Sequence, residues 1–169
     1  MKQLLIVWHS RTGAARQMAQ AAARGAAAAA SAMDLADELR IEMRHAPDAD
    51  ASVLLASQGY LFCAPENLAS LSGEMKEFFD RNYYAVLDRI QGLPYAALIS
   101  AGSDGSGAAR QVERICTGWR LSAVAPALIV NMGAQTAEQI LAPKTVAQAE
   151  LARCEELGGL LAGMMLMGA

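Results

Sequence analysis

The chain has 169 residues and a formal net charge of −3, which is long enough for one domain over residues 1–169 to bury a substantial core. Hydrophobic residues make up 54% of the sequence, above the ~45–50% of typical soluble domains, but much of the excess is alanine. No apolar run approaches the roughly 20 residues of a spanning helix, so membrane insertion is not expected. The slightly acidic balance disfavours a nucleic-acid binder.

The three cysteines, Cys63, Cys116 and Cys154, are odd in number and lie far apart in the sequence. Such a set is not typical of a disulfide framework, nor of a zinc site with its short ligand spacing. We therefore expect reduced thiols, no metal, and a cytoplasmic protein.

The first two elements are the most informative part of the chain. Lys2–Trp8 is almost continuously apolar, which is typical of a strand buried on both faces. Residues 13–32 are rich in alanine, the strongest helix former, and predict the first helix. The polar turn between them, Ser10-Arg11-Thr12-Gly13, leads into the positive N-terminus of that helix, which suits a phosphate. A helix cap without a ligand fits the same turn.

The rest of the chain alternates between strand and helix patterns. Further strands are predicted over residues 38–44, 60–64 (stopped by Pro65), 95–100 and 127–131. Helices are predicted to begin at Ser72, after the loop 102–107, and near Pro143. Strands about 30 residues apart with a helix between them form parallel, right-handed units. We expect an α/β fold of three layers, with a doubly wound, parallel five-stranded sheet in the order 2-1-3-4-5.

Two details of this prediction concern the edges of the fold. Apolar and charged residues alternate strictly over residues 38–44, which favours an edge strand with one wet face. In the last helix, a core-facing stripe is predicted at Val146, Ala149, Arg153, Leu157, Leu160 and Met164. In the same helix Gly159-x-x-x-Gly163 fits either close packing within the chain or a homodimer contact.

Ligands of such sheets bind at the carboxyl ends of the strands, where the strand order reverses. Two motifs lie there, Ser10-Arg11-Thr12-Gly13 and Ala64-Pro65-Glu66-Asn67, and Met75-Lys76-Glu77-Phe78-Phe79-Asp80-Arg81 follows the second. Together with the glycine-rich loop 102–107, they resemble the flavodoxin-like flavoproteins, in particular the branch of NAD(P)H-dependent FMN reductases and quinone reductases. The resemblance covers nearly the whole chain. It implies the flavodoxin-like fold, FMN as cofactor and NAD(P)H as a possible co-substrate.

The resemblance also assigns the site residues. It places the FMN phosphate on the first loop, at Ser10, Arg11, Thr12, Gly13, Ala14 and Ala15. It places the isoalloxazine ring between two further loops, at Pro65, Glu66, Asn67 and Leu68 on one side and Ala101, Gly102 and Ser103 on the other. In this assignment the hydroxyls of Ser10 and Thr12 donate hydrogen bonds to the phosphate, and Gly13 allows its close approach.

The chain departs from the family pattern at two places. Ala14 and Ala15 stand where the family usually has a further polar residue, so one phosphate hydrogen bond of about 1–2 kcal/mol is missing. The second and third loops carry no aromatic residue to stack on the ring, unlike carrier flavodoxins. Both departures predict weaker FMN binding than in a carrier flavodoxin.

These patterns lead to an oxidoreductase hypothesis and one main alternative. We expect an FMN-binding oxidoreductase that passes electrons from NAD(P)H to a small-molecule acceptor such as a quinone, with no catalytic side chain assigned. The alternative is a non-enzymatic flavodoxin-like electron carrier or binding protein with weak or lost FMN binding. The acidity and aromatic stacking typical of a carrier are both lacking.

Other site chemistries fit the sequence less well. A hydrolase triad of Ser10, His9 and Asp104 would lack the nucleophile elbow. Cys63 has no following arginine at the spacing of a phosphatase loop, and a receiver domain would need an acidic cluster at the strand ends. We expect His9 to be a partly buried structural histidine rather than a proton donor. Glu66 is either a solvated loop residue or a charge near the flavin.

Overall fold

In the computed structural model, which describes residues 1–168, a parallel sheet lies between two layers of helices. The strands are β1 (Lys2–Trp8), β2 (Leu39–His45), β3 (Gly59–Asn67), β4 (Ser70–Leu71), β5 (Pro94–Ala101), β6 (Ser122–Ala123) and β7 (Leu128–Asn131). The helices are α1 (Ala14–Ala32), α2 (Ala51–Leu55), α3 (Gly73–Val86), α4 (Ser106–Gly118), α5 (Ala137–Leu141) and α6 (Gln148–Met167). Within residues 1–168 no helix combines the length and hydrophobicity that a membrane crossing requires.

The sheet has the predicted topology. The order is β2-β1-β3-β5, and β6 and β7 both pair in parallel with β5, so the fifth strand is built from two short pieces. The antiparallel β4 folds back on the end of β3 as a small hairpin. When the hairpin strand β4 is left out and β6 and β7 count together as the fifth strand, the order in chain numbering is 2-1-3-4-5. The half-exposed residues of β2 confirm its predicted edge position.

Alternate residues of the central strands enter two separate cores. Leu5 and Val7 of β1 pack into the core that holds Phe78 of α3, together with residues of α4. Leu4 and Ile6 pack into the opposite core, against α1 and α6. Because successive side chains point to opposite faces, both sets must be apolar. This explains the unbroken apolar run of β1.

The third strand does not stop at Pro65 as predicted. Pro65 pairs with Ser100 of β5, and its carbonyl oxygen accepts a hydrogen bond from the Ser72 N–H at 3.1 Å. Proline lacks only the donor, so it is tolerated at the end of a ladder where its carbonyl still has a partner. The strand therefore continues into the hairpin with β4.

The predicted start of the last helix is wrong, and within the helix its predicted buried face is confirmed only at Leu157. The helix begins at Gln148 rather than near Pro143, and Leu160 is 45% exposed. Its buried residues are Cys154, Leu157, Gly158, Leu161, Ala162 and Met165. The predicted stripe includes Ala149 and Arg153, which are exposed, and omits Gly158, where α1 approaches the helix closely.

Glycines set the contact between α1 and α6. A Cβ on Gly158 would lie 2.0 Å from the carbonyl oxygen of Ala22, and one on Gly25 would lie 1.9 Å from that of Glu155. Gly159 also faces α1, whereas a Cβ on Gly163 would meet nothing within 4 Å. The first glycine of the Gly159-x-x-x-Gly163 pair is thus used within the chain. The homodimer remains a prediction.

We expect Gly158→Ala to lower the free energy of unfolding by about 2 kcal/mol or more, because the two helices must move apart to admit the methyl group. Gly163→Ala, in the same helix, should raise it by about 0.5–1 kcal/mol through helix propensity alone. Urea unfolding of both variants measures the difference. Equal effects would contradict the close contact.

Candidate functional site

A cleft of about 250 Å³ opens at the carboxyl ends of β1, β3 and β5. Its walls are Arg11, Thr12, Ala14, Pro65, Glu66, Asn67, Ser100, Ala101, Gly102, Met132, Ala134, Ile140, Leu141 and Lys144. The lining combines apolar side chains with a few polar groups, which is the usual make-up of a small-molecule site. Three separate stretches of the chain predicted from the sequence meet here.

The first loop presents an open helix N-terminus to the cleft. Gly13 precedes α1 with a φ of 97°, in the left-handed region that favours glycine. No side chain caps the helix, and its first turn contains no acidic residue. The N–H groups of Ala14 and Ala15 have no partner within the helix, since the ladder of hydrogen bonds starts a turn later. The Ser10 hydroxyl oxygen accepts the Gly13 N–H at 3.1 Å, which leaves its own proton free to donate.

The N-terminus of α4, in contrast, is closed by Glu66. The two oxygens of this carboxylate accept the N–H groups of Gly105 at 2.9 Å and Ala108 at 3.0 Å. Charge-assisted bonds of this kind, at the positive end of a helix, compensate the negative charge. Glu66 is therefore not a solvated loop residue: it lines the cleft, and the N-terminus of α4 holds its charge.

The hairpin after β3 turns through two residues in a strained backbone conformation. Leu68 and Ala69 have φ values of 52° and 61°, which cost about 1 kcal/mol or more each for residues with a side chain. Leu68 is fully exposed at this tip. Asn67, directly before it, lines the cleft.

The third loop is shaped by close backbone approach. A Cβ on Gly102 would lie 2.6 Å from the carbonyl oxygen of Ala134, so only glycine fits without a shift. Ala134 in turn donates its N–H to the carbonyl of Gly102 at 2.9 Å. Ser103 is exposed and does not line the cleft, and its carbonyl accepts a hydrogen bond from the Asn131 side chain at 2.6 Å.

The segment after β7 forms a wall that the sequence analysis missed. It contributes Met132, Ala134, Ile140, Leu141 and Lys144. The capping box of Thr136 and Gln139 marks the start of α5 and could have separated this short helix from α6.

Gln17 fastens this wall to the first loop. Its Nε2 donates to the carbonyls of Gly13 at 2.9 Å and Lys144 at 2.8 Å, and its Oε1 accepts the Val146 N–H at 3.0 Å. The Lys144 N–H also donates to the carbonyl of Thr12 at 2.8 Å. Three hydrogen bonds therefore fix the missed wall against the helix N-terminus, and the bond from Gln17 to Gly13 holds the amide itself in place.

Most predicted site residues lie together, but five do not line the cleft. Arg11, Thr12, Ala14, Pro65, Glu66, Asn67, Ala101 and Gly102 form its walls. Ser10, Gly13 and Ala15 belong to the first loop without lining the cleft, and Leu68 and Ser103 lie outside it. Tests of ligand contact should therefore begin with the eight predicted residues that form the cleft walls.

The buried polar and thiol groups near the first loop have hydrogen-bond partners within the chain. The Nδ1 of the buried His9 lies 2.9 Å from the Ser72 hydroxyl. Ser72 directly precedes α3, but its hydroxyl forms no capping hydrogen bond to that helix. The Cys63 thiol donates to the carbonyl of Ala15, and burial raises its pKa. All three cysteines are buried and free, and residues 1–168 contain no group of side chains suited to a metal.

His9 should make folding stability depend on pH. Burial lowers its pKa below 6.5, the Glu74 carboxylate partly opposes this, and His45 and Arg11 add to the lowering. As the pH falls, the unfolded chain therefore takes up a proton on His9 before the folded chain does. The stability that the neutral, buried His9 contributes is full above about pH 6.5 and is lost as the pH falls through the lowered pKa. The urea midpoint should fall less between about pH 7 and pH 5 in His9→Asn than in the wild type.

The matched control is His45→Asn, which removes the other histidine, 38% exposed at its side chain. The His45→Asn variant should retain most of the pH dependence of the wild-type urea midpoint. An unchanged pH dependence in His9→Asn would contradict the burial of a neutral imidazole.

Comparison with known proteins agrees with this geometry. The model of the family described as NADPH-dependent FMN reductase matches residues 1–137. A flavodoxin from Aquifex aeolicus (strain VF5) is 27% identical over 107 residues, which cover 63% of this chain and about half (54%) of the relative's length.

Solved structures share the fold. A flavodoxin from the domain Archaea superimposes with a TM-score of 0.75 at 16% identity, covering 97% of this chain and 99% of its own. A WrbA-like flavodoxin protein from Agrobacterium tumefaciens gives 0.69 at 15% identity, covering 100% of both chains. At these identities the likeness establishes the architecture alone.

Proposed function

We propose that the chain, which belongs to the NADPH-dependent FMN reductase family, binds FMN in the cleft and transfers electrons from NADPH to a small acceptor such as a quinone. The open N-terminus of α1 at the cleft carries this proposal. It offers unpaired N–H groups and a partial positive charge, with no acidic side chain in the first turn to occupy them.

The residues present fit the phosphate of FMN. Arg11 brings positive charge to the first loop and lines the cleft. Lys144 also lines the cleft, but its ammonium group donates to three carbonyls at the end of α5, those of Gln139, Ile140 and Ala142. Thr12 adds a hydroxyl, and the local bond from Gly13 to Ser10 orients the second hydroxyl. A helix N-terminus of this kind is a common phosphate site.

The remaining walls fit a flat, largely apolar ring. Pro65 and Asn67 would contact one part of it, and Ala101 and Gly102 another. Met132 adds apolar surface from the wall fixed by Gln17. The volume of about 250 Å³ is just below the ~300–1,000 Å³ typical of pockets that enclose a ligand, so part of the cofactor would stay accessible.

When bound, FMN supplies the chemistry of accepting a hydride and passing on electrons. The chain's residues supply binding, orientation and a controlled charge environment. The main electrostatic feature is Glu66, whose charge is held by α4 and so repels an anionic ring less than a free carboxylate would. In this proposal the cleft walls act by binding and orienting FMN.

The second candidate is a non-enzymatic electron carrier or binding protein. The flavodoxin relative from Aquifex aeolicus favours it. The lining of the cleft argues against it, since none of its described residues is aromatic and able to cover the ring.

We expect FMN to bind much more tightly than riboflavin, because the phosphate contributes a large part of the affinity. Thr12→Val should weaken FMN binding by about 1–3 kcal/mol through loss of a hydrogen bond to a charged group, and leave riboflavin binding unchanged. Quenching of flavin fluorescence measures both affinities. The control is Thr117→Val, on the exposed part of α4, which should not alter either one.

Two results would contradict this assignment. Equal affinities for FMN and riboflavin would exclude a phosphate site at the first loop. Absence of quenching by FMN at high protein concentration would exclude a flavoprotein.

We expect NADPH to reduce the FMN-loaded protein directly. Stopped-flow mixing should bleach the flavin absorbance within seconds, and a quinone should restore it, because the uncovered cleft lets the two substrates bind in turn. Steady-state rates should then follow a ping-pong pattern. Reduction by a partner reductase but by neither NADPH nor NADH would favour the carrier.

A further inference from the structure

A second concavity, of about 470 Å³, lies between α3 and α4. Its walls are Ala69, Ser70, Lys76, Gly107, Arg110, Gln111, Arg114 and Ile115, and we call it the basic groove. It contains three cationic side chains and no acidic one among its described residues. In a chain of net charge −3, this is a concentrated patch of the opposite sign.

The cations of the basic groove are poorly neutralised. Lys76 forms an ion pair with Asp80 at 2.6 Å, but Arg110 and Arg114 form none with another described residue. The two arginines lie four residues apart on α4, where like charges repel by a few tenths of a kcal/mol. An anion between them would relieve this repulsion.

Nearby carboxylates of α4 and the hairpin are occupied elsewhere. Glu113 accepts the N–H of Ala127 at 3.4 Å. Glu66 lies behind Gly107, and both of its oxygens bind N–H groups of the α4 N-terminus. Neither carboxylate forms an ion pair with Arg110 or Arg114, so these two arginines are open to an anionic ligand.

The basic groove and the cleft share one wall, the hairpin of β3 and β4. Asn67 lines the cleft and Ser70 lines the groove, and the two are direct partners across the hairpin, where Cα atoms lie about 5 Å apart. Gln111 fixes the hairpin to α4, because its Oε1 accepts the Ser70 hydroxyl at 3.0 Å and the Leu71 N–H at 2.7 Å. A ligand that crosses the exposed Leu68 tip would reach both concavities.

We propose that the basic groove binds the 2′-phosphate of NADPH while the nicotinamide enters the cleft, which makes Arg110 and Arg114 the determinants of NADPH over NADH. This inference rests on the proposed function. A phosphate monoester carries nearly two negative charges and three acceptor oxygens, and arginine forks bind such a group through paired hydrogen bonds. NADH has a neutral hydroxyl at the same position, so it gains nothing from the groove.

The test compares two nucleotides by calorimetric titration of the protein with and without FMN. Adenosine 2′,5′-bisphosphate should bind at least about tenfold more tightly than adenosine 5′-monophosphate, since it adds charged hydrogen bonds. Arg110→Gln and Arg114→Gln should each weaken the bisphosphate at least about fivefold and leave the monophosphate unchanged. The control Arg89→Gln removes the same charge from an exposed position outside the groove and should change neither.

The double variant Arg110→Gln/Arg114→Gln should also lose the preference for NADPH over NADH in flavin reduction, with FMN affinity unchanged. Equal binding of the two nucleotides, or full bisphosphate binding in the double variant, would overturn the inference while FMN binding and reduction still support the proposed function. If FMN fails to bind, the proposed function is wrong, and the titration of the FMN-free protein still decides whether the groove binds the 2′-phosphate.

Discussion

The side chain of Gln17 holds the proposed site together. One amide group bonds the first turn of α1, through Gly13, to the backbone of Lys144 and Val146. Each bond contributes about 1 kcal/mol, and together they place a distant part of the chain beside the first loop. Because the amide uses the carbonyl of Gly13 and not the free N–H groups of Ala14 and Ala15, the loop is fixed while its donors stay available.

The two helix N-termini near the cleft have opposite roles. That of α1 has no cap and no acidic residue, so it can accept an anion from outside. That of α4 is already bound to Glu66, which ties the second loop to the third. The cleft therefore has an open helix N-terminus at one end and a charge-compensated wall on one side, which suits the proposed cofactor with its phosphate and flat ring.

The sheet order and most of the cleft could be predicted because they depend on local pattern. The apolar run of β1 and the polar residues after it define a buried strand and a loop whatever the rest of the chain does. The wall after β7 could not be predicted, since it depends on contacts of Gln17 with Lys144, 127 residues away. The prediction of the buried face of α6 failed for a similar reason. The close approach of α1 requires a glycine at position 158, and this contact between distant segments cannot be read from the local pattern.

The central claim is that the open N-terminus of α1 holds the phosphate of FMN. The most direct test is to follow the backbone amide signals of the isotopically labelled protein during titration with FMN and with riboflavin. The account predicts that Thr12, Ala14 and Ala15 shift strongly with FMN and far less with riboflavin, while Asn67 and Gly102 shift with both. Shifts of the first-loop amides that are the same for both ligands, or absent, would contradict it.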